Sequence, residues 1–362
     1  MKTAIFFSNP FGFGPTGKMI AVLEEFKKHW DGHIVYASSG LCKEIMHMTD
    51  ITQEDVDQRD EDSIESVIQK YENVYVVSSL NRFAIAVAHR LGIPNTFVDG
   101  LAWMWDTIPA EFLLSDIYIC TKFPGLEEKL KAYPKAHMVP FILSPLPQRT
   151  IPDDSIIVHF GGGENPLQDE ICEEYYALFG EALESLDHSG EIIVTGGKKC
   201  LDVVEKYVSR PSVTFRTFPK DICLQKLAQC RHFFTTSGLN ATMEAFAMGV
   251  PTSFLLPSNL SQWKLLLALQ SAGAADNALM WNTYFPEYHL RDGITERENI
   301  KEIHGLSRDV YGNNDLKAQF KDDFAKVLQA IPDVAGQHAF SQLMGTGGAE
   351  KTVEILREKW NF

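Results

Sequence analysis

The amino-acid sequence predicts an α/β fold made of two Rossmann-like domains, each a doubly wound parallel sheet, that face each other across a cleft. Strand-like apolar runs alternate with amphipathic stretches in both halves of the chain. A proline-rich stretch separates the halves, and small-residue turns follow several strands of the second half. Such turns are typical of ligand sites at the carboxyl ends of parallel strands.

The first half, residues 1–140, begins directly with a strand. Runs rich in apolar and β-branched residues predict strands at Thr3–Ser8, His33–Ala37, Val74–Ser78, Asn95–Val98 and Ile117–Cys120. Amphipathic periodicity predicts helices at Lys18–Trp30, Ser63–Tyr71 and Arg82–Leu91. This alternation is that of a parallel sheet with helices on both faces.

Residues 141–152 are interpreted as a semi-rigid linker because of their prolines. The second domain, residues 153–345, repeats the alternation, with strands predicted at Ser155–Phe160, Glu191–Thr195, Val213–Phe215, His232–Thr236 and Thr252–Leu256. Residues 346–362 form a last amphipathic helix. Glycine turns follow the first two strands of this domain, and we expect both to line the ligand crevice.

Composition excludes several classes of function. The net charge of −15 comes without clustered lysine or arginine, which disfavours nucleic acid and anionic lipid as partners, although it suits a cationic acceptor. No apolar run reaches the length of a membrane span, so no transmembrane segment is expected. The six cysteines show no zinc spacing, and a reducing cytoplasmic location is predicted.

The segment Ser237–Pro251 carries the clearest chemical pattern. Ser237 and Gly238 are small, so backbone amides can approach a ligand closely at the positive end of the following helix. Glu244 lies about two turns into that helix and can accept hydrogen bonds from a vicinal diol. Together these features suit a diphosphate and a ribose.

Ser237, Gly238, Glu244, Gly249 and Pro251 resemble the donor-nucleotide motif of the GT-B glycosyltransferases, particularly the bacterial peptidoglycan N-acetylglucosaminyltransferase and related inverting nucleotide-sugar enzymes. The resemblance implies that the second domain binds a nucleoside diphosphate sugar, with UDP as the expected nucleotide, as a substrate, so that no cofactor is needed. It also implies that the last helix crosses back to the first domain. The implied donor residues are Gly161, Gly162, Gly163, Phe218, Ser237, Gly238, Leu239, Asn240, Ala241, Thr242, Glu244, Ser261 and Gln262.

The sugar loop departs from the pattern of the family. Ser261 and Gln262 stand where relatives place an acidic or amide pair on the sugar hydroxyls, and the common acidic residue is missing. The sequence therefore leaves the identity of the sugar open.

The resemblance also bears on stereochemistry. Retaining relatives carry a second glutamate eight positions before the first, where this chain has Thr236. The interpretation is therefore inversion, in which an acceptor hydroxyl attacks the anomeric carbon directly. The pairs Asp55–Asp57 and Asp60–Asp62 imitate a metal-binding D-x-D motif but belong to a surface acidic run, so metal-independent activity is expected.

The N-terminal loop resembles the G-x-G-H-x-x-R loop of the GT-B enzymes, with Pro15 in the place of the histidine. Its Walker-like spacing from Gly12 to Lys18 lacks the hydroxyl residue that a P-loop needs, because Met19 follows. Proline cannot accept a proton, so a base must come from elsewhere. Asp99 is the first candidate, with the alternative that it forms a turn, and Asp106 is the second.

The acceptor is expected to be a small molecule that lies against the first domain. The residues on that side are Phe13, Gly14, Pro15, Trp103 and Trp105. Aromatic faces bind sugars and aglycones, although packing within a core explains the same residues equally well.

Two rival functions stay open at this level. The first is a nucleotide-sugar hydrolase or epimerase of the same fold, although Thr242 and Met243 occupy the positions where epimerases carry glutamates. The second is a partner subunit without catalysis, whose acceptor loop has decayed at Pro15. Binding of a nucleoside diphosphate separates the enzymes from a protein that has lost the donor site.

Overall fold

The computed structural model describes residues 1–362 except 47, 49, 165, 166 and 169. The chain forms two compact units. Unit 1 contains residues 1–145 and 343–362, and unit 2 contains residues 146–342. The division at 145 falls inside the proline-rich stretch, whose first part, Phe141–Leu143, is buried rather than exposed as a free linker would be.

Unit 1 is built on a seven-stranded parallel sheet in the order β3-β2-β1-β4-β5-β6-β7. The strands are Thr3–Ser8 (β1), His33–Ser38 (β2), Thr52–Asp55 (β3), Val74–Ser79 (β4), Asn95–Asp99 (β5), Ile117–Thr121 (β6) and Ala136–Val139 (β7). The helices that begin in this unit's first segment are Gly14–Phe26 (α1), Cys42–Ile45 (α2), Glu61–Ile68 (α3), Arg82–Arg90 (α4) and Leu126–Leu130 (α5). A short 3-10 helix spans Phe112–Leu114.

Unit 2 is built on a five-stranded parallel sheet in the order β10-β9-β8-β11-β12. The strands are Ile156–His159 (β8), Ile192–Thr195 (β9), Val213–Phe215 (β10), His232–Thr235 (β11) and Thr252–Phe254 (β12). The helices are Glu173–Ser185 (α6), Lys198–Glu205 (α7), Lys220–Gln229 (α8), Leu239–Ala247 (α9), Leu260–Ser271 (α10), Glu296–Gly312 (α11) and Asn314–Gln329 (α12), with a short 3-10 helix at Trp281–Thr283.

Two further helices end the chain. Ala335–Met344 (α13) runs across the division between the units, and Gly348–Trp360 (α14) belongs to unit 1. The apolar face of α14 packs on α1, where Phe26 and Trp360 meet edge to face with ring centroids 6.4 Å apart. Gly348 N donates to Phe141 O at 3.2 Å, which fixes the start of α14 within this unit.

Each sheet is covered on both faces, as the alternating pattern predicted. In unit 1, α1 and α14 cover one face, and α3 and α4 cover the other. In unit 2, α6, α7, α11 and α12 enclose one apolar cluster, while α8 and α9 enclose another. The prediction of an α/β fold with two parallel, Rossmann-like sheets is therefore confirmed.

Several local predictions need correction. The helix after β1 begins at Gly14 rather than Lys18, because proline is tolerated in the first turn of a helix. Strands β3 and β7 were not predicted. Strand β3 lies at the sheet edge and reads TQED, so it lacks the apolar pattern of the other strands. The acidic run around it is exposed, and Glu54 pairs there with Lys70 at 2.7 Å. No helix in the described part combines the length and hydropathy that crossing a membrane requires.

Candidate functional site

The sheet of unit 2 reverses its direction of winding between β8 and β11. From β8 the chain moves outward to β9 and β10, and it then returns to the other side of β8 to form β11 and β12. His159 ends β8 directly beside Thr235 of β11. Helices leave such neighbours toward opposite faces of a sheet, which opens a crevice at the carboxyl ends of the strands. Most of the donor residues predicted from the sequence follow β8 or β11.

The turn after β11 gives the start of α9 no side-chain cap. Gly238 is the N-cap residue, and it has no side chain that could accept a hydrogen bond from the first turn of α9. Gly238 N donates to Thr236 O at 2.5 Å, and Ser237 Oγ donates to Gln262 O at 2.8 Å, so the turn is held from both sides. The first amides of a helix have no carbonyl acceptor within it and attract anions.

Gly238 is not demanded by the fold. Its backbone has an ordinary φ of −77°, and a Cβ atom built there would meet nothing closer than Thr236 O at 3.7 Å. The methyl group of an alanine would therefore fit the fold at this position. Because glycine lacks even this group, the backbone here is open to the close approach of a ligand.

The two glycine turns of unit 2 lie against each other, while their place beside a ligand stays a prediction. Gly197 N donates to Gly161 O at 2.8 Å, which joins the turn after β9 to the turn after β8. A Cβ atom on Gly197 would lie 2.1 Å from Gly162 O, so this approach requires glycine. Gly163 O accepts from Tyr176 Oη at 3.5 Å. The end of the predicted glycine segment, at residues 165 and 166, lies outside the described residues.

Glu244 is engaged by a lysine that the sequence reasoning missed. Lys220 Nζ donates to Glu244 Oε1, and the two side chains are only 18% and 7% exposed. Among the ion pairs of the described residues, this pair is the most shielded from solvent. Lys220 is the first residue of α8, where the helix dipole disfavours a cation. That unfavourable position was the one available signal in the sequence.

His159, at the end of β8, is a neutral side chain. Burial and the charge of Lys220 lower the pKa of His159 to about 4. Its Nδ1 atom lies 3.0 Å from Thr235 Oγ1, which itself donates to Thr236 O at 2.8 Å. Because the threonine proton is already used, His159 Nδ1 must donate, and Nε2 keeps its lone pair.

The remaining predicted donor residues have mixed surroundings. Leu239 is buried, whereas Asn240 and Ala241 are half-buried in the first turn of α9. Thr242 is fully buried, and within the described structure its hydroxyl finds no hydrogen-bond partner. Phe218 is partly buried and packs on the cluster formed by α8 and α9.

The predicted sugar loop, between β12 and α10, is braced by its own hydrogen bonds. Gln262 Oε1 accepts from Ser258 N at 2.8 Å, and Ser261 Oγ donates to Asn259 Oδ1 at 2.8 Å. Asn259 also caps α10 through Gln262 N at 3.0 Å. Unlike α9, helix α10 therefore has a protein group at its start.

Glu296 supplies a carboxylate at this loop from the distant helix α11. Its Oε1 atom accepts from Leu260 N at 3.2 Å. Burial raises the pKa of Glu296 to about 7, against the opposing effect of the Leu260 and Ser261 amides. The loop after β12 thus has a carboxylate beside it that comes from a distant element and that no local pattern indicated.

In unit 1, the first candidate base is enclosed by its own turn. Asp99 is fully buried at the end of β5 and accepts from Leu101 N at 2.7 Å, Tyr118 Oη at 2.7 Å and Trp105 Nε1 at 3.0 Å. Burial raises the pKa of Asp99, an effect opposed by these donors and by Lys18. These contacts favour the turn-forming alternative, and the role of base remains a prediction.

The other acceptor-side residues lie in two loops of unit 1. After β5, Trp103 stacks on Phe123 with centroids 4.4 Å apart, Trp105 holds Asp99, and Asp106 is exposed. After β1, Phe13 and Gly14 are half-buried where α1 begins, whereas Pro15 is buried in its first turn. These contacts favour packing for Trp103 and Trp105, whose role on the acceptor side remains a prediction, and the structure gives Pro15 no polar role.

Metal-ligand clusters are absent from the described part of the chain, where no group of three His, Cys, Asp or Glu side chains could hold an ion. The six cysteines are free thiols, and five of them are buried.

No protein-family model matches the chain, and no curated protein matches it by sequence. Solved structures do match over nearly the full length. A variant of Os79 from O. sativa in complex with UDP has a TM-score of 0.57 at 11% identity, covering 99% of this chain and 100% of that one. The spinosyn rhamnosyltransferase SpnG has a TM-score of 0.56 at 10% identity, covering 98% and 100%.

The calicheamicin glycosyltransferase CalG4 has a TM-score of 0.53 at 15% identity, covering 99% of this chain and 98% of that one. At such identities a match shows the fold alone. The resemblance to GT-B glycosyltransferases that the motif indicated is therefore confirmed at the level of architecture: this chain has the fold of those enzymes.

Proposed function

We propose that unit 2 binds a nucleoside diphosphate sugar, with UDP as the preferred nucleotide, and that the chain transfers the sugar to a hydroxyl of a small acceptor. The observation that carries the proposal is the start of α9 at the β8–β11 reversal, where the N-cap residue is a glycine without a capping side chain, with Glu244 about two turns further on. The amides of that first turn suit the diphosphate, and the carboxylate of Glu244 suits the ribose.

The proposed reaction is a single displacement with inversion. The acceptor oxygen forms a bond to the anomeric carbon while the bond from that carbon to the diphosphate oxygen breaks. The proton of the acceptor passes to an enzyme base, and negative charge grows on the leaving diphosphate. The amides at the start of α9 lie where they would stabilise that charge. Thr236, in the place of a second glutamate, supports inversion over retention.

We propose Asp106 as the base to test first, ahead of Asp99. A base must be able to reach the acceptor proton, and Asp106 is exposed whereas Asp99 is enclosed by three donors. D106N should then lower turnover about a hundredfold and leave the affinity for UDP unchanged. If D99N alone caused this loss, with unaltered stability, the order of the two candidates would be reversed.

Calorimetric titration with UDP tests the donor site. E244A should lower the affinity for UDP about a hundredfold, because the ribose hydroxyls lose a charged acceptor. E205Q is the matched control, since Glu205 is an exposed glutamate of the same unit, and it should bind UDP as the wild type does. Absence of binding to any nucleoside diphosphate would refute the proposal and leave a partner subunit without catalysis.

Metal independence is part of the proposal and has its own test. Turnover should survive dialysis against EDTA, because leaving-group charge is assigned to helix amides rather than to a cation. Loss of activity on dialysis, with recovery on adding manganese, would contradict it.

A nucleotide-sugar hydrolase is the second candidate, favoured by one observation: the buried Pro15 replaces the loop histidine that arranges the acceptor in related enzymes. An assay without any acceptor separates the two activities. Release of free sugar from UDP-sugar at the full rate would identify water as the acceptor.

A further inference from the structure

Glu244 does not meet a ribose diol as a lone carboxylate. A lone carboxylate binds a vicinal diol by accepting one hydrogen bond at each oxygen. Here Oε1 already accepts from Lys220 Nζ, and the pair is shielded from solvent. The second oxygen of Glu244 remains for a ligand, and the ammonium group of Lys220 has two donors beyond the one that it gives to Glu244.

The position of Lys220 is costly, which argues for a use beyond stability. It begins α8 at the positive end of that helix. A shielded ion pair also contributes little net stability compared with apolar packing, because both charges lose water. Lys226, an exposed lysine further along α8, avoids both costs. The charge of Lys220 also acts on His159 at the end of β8, whose pKa it helps to lower.

Resting on the proposed function, we infer that Lys220 and Glu244 together recognise the ribose diol: one hydroxyl donates to the second oxygen of Glu244, and its neighbour accepts from Lys220 Nζ. Each ribose hydroxyl can both donate and accept, so a paired donor and acceptor match a diol as well as two acceptors do. Lys220 is thus a specificity residue that selects ribonucleotides over deoxyribonucleotides.

The test compares UDP with 2′-deoxy-UDP and 3′-deoxy-UDP by calorimetry. The wild type should bind both deoxy forms about tenfold or more weakly than UDP, because each leaves one charged partner unsatisfied. In K220M, the affinity for UDP should fall about tenfold. The loss of affinity on removing one of the two hydroxyls, the hydroxyl penalty, should disappear for one hydroxyl and remain for the other. K220R keeps a donor and should keep both penalties.

Two controls separate this role from general damage. K226M changes an exposed lysine on the same helix and should behave as the wild type. Because K220M leaves Glu244 without its partner, the double variant K220M/E244M is also measured. It removes both polar groups, so it should lose both hydroxyl penalties while unfolding in urea near the wild-type midpoint.

Inorganic pyrophosphate distinguishes the main alternative, in which Lys220 binds phosphate. If K220M weakens pyrophosphate and UDP equally and keeps both deoxy penalties, the assignment to ribose is wrong. Equal affinity of the wild type for UDP and its deoxy forms would also overturn it, while the donor site itself would stand. Failure of the wild type to bind UDP at all would instead refute the proposed function.

Discussion

Units 1 and 2 each place a buried carboxylate near the carboxyl ends of a parallel sheet, but they surround it differently. Asp99 of unit 1 accepts from a backbone amide, a tyrosine and a tryptophan, all supplied by β5, β6 and the loop between them. Glu244 of unit 2 is held by the end of one long side chain, Lys220, and keeps its second oxygen for other partners.

The turns at the two places where the sheets reverse differ in another way. In unit 1, Asn9 closes the space between β1 and β4 by donating to Ser79 O and Leu80 O, both at 2.9 Å. Neither α1, which follows β1, nor α9, which follows β11, receives a cap from the side chain of its N-cap residue, so the contrast between the units lies in their carboxylates. A carboxylate that its own turn satisfies serves the fold, whereas one left partly unsatisfied is available to a ligand.

The largest expected effect comes from removing the enclosed carboxylate. D99A should lower the free energy of unfolding by about 3 kcal/mol or more, because three donors lose their acceptor in a buried site. E244A should change stability far less while it abolishes most UDP affinity. Urea unfolding of both variants measures the difference. Comparable destabilisation by the two substitutions would contradict the distinction between Asp99 and Glu244.

The next effect concerns two glycines of unit 2. G197A should destabilise the fold by about 2 kcal/mol, since its Cβ would overlap Gly162 O. G238A should leave the stability within about 0.5 kcal/mol of the wild type, because space exists for its Cβ. It should nevertheless weaken UDP about tenfold by obstructing the α9 turn. Thermal unfolding with calorimetry checks both, and unchanged UDP affinity in G238A would remove the ligand explanation for that glycine.

The smallest effect concerns Glu296 and tests whether this carboxylate contributes to the stability of the fold, as Asp99 does, or is available to a ligand, as Glu244 is. Its pKa is raised to about 7, so the folded state favours its neutral form. The resulting stability is fully present below the unfolded pKa of about 4.5 and is lost as the pH rises through 7. The side chain of E296Q stays neutral at every pH. The free energy of unfolding of this variant should therefore exceed that of the wild type by about 1 kcal/mol at pH 8 and equal it at pH 4.

Urea midpoints across this pH range measure the effect. His159 and His232 have pKa values lowered to about 4, so their stabilising effect is present above pH 6.5 and is lost as the pH falls toward 4 in both proteins. The comparison of E296Q with the wild type therefore isolates Glu296. A pH-independent difference between the two proteins would contradict the raised pKa.

Local patterns in the sequence predicted much of the fold and part of the site. Apolar runs located all but two of the strands, and the exceptions are the polar edge strand β3 and the short β7. Ser237, Gly238 and Glu244 were found because strand, turn and helix follow one another directly in the chain. Lys220 and Glu296 were missed because each reaches its partner from another helix, 24 and 36 residues away in sequence.

The sequence by itself determined the two parallel sheets, because periodicity and turn residues act over a few neighbouring positions. It also predicted the helix start at which an anion is proposed to bind. Only the tertiary structure decided which of the polar groups were already satisfied. It enclosed Asp99, gave Glu244 a lysine partner and brought Glu296 to the loop after β12, because hydrogen bonds between distant segments depend on packing that no local pattern encodes.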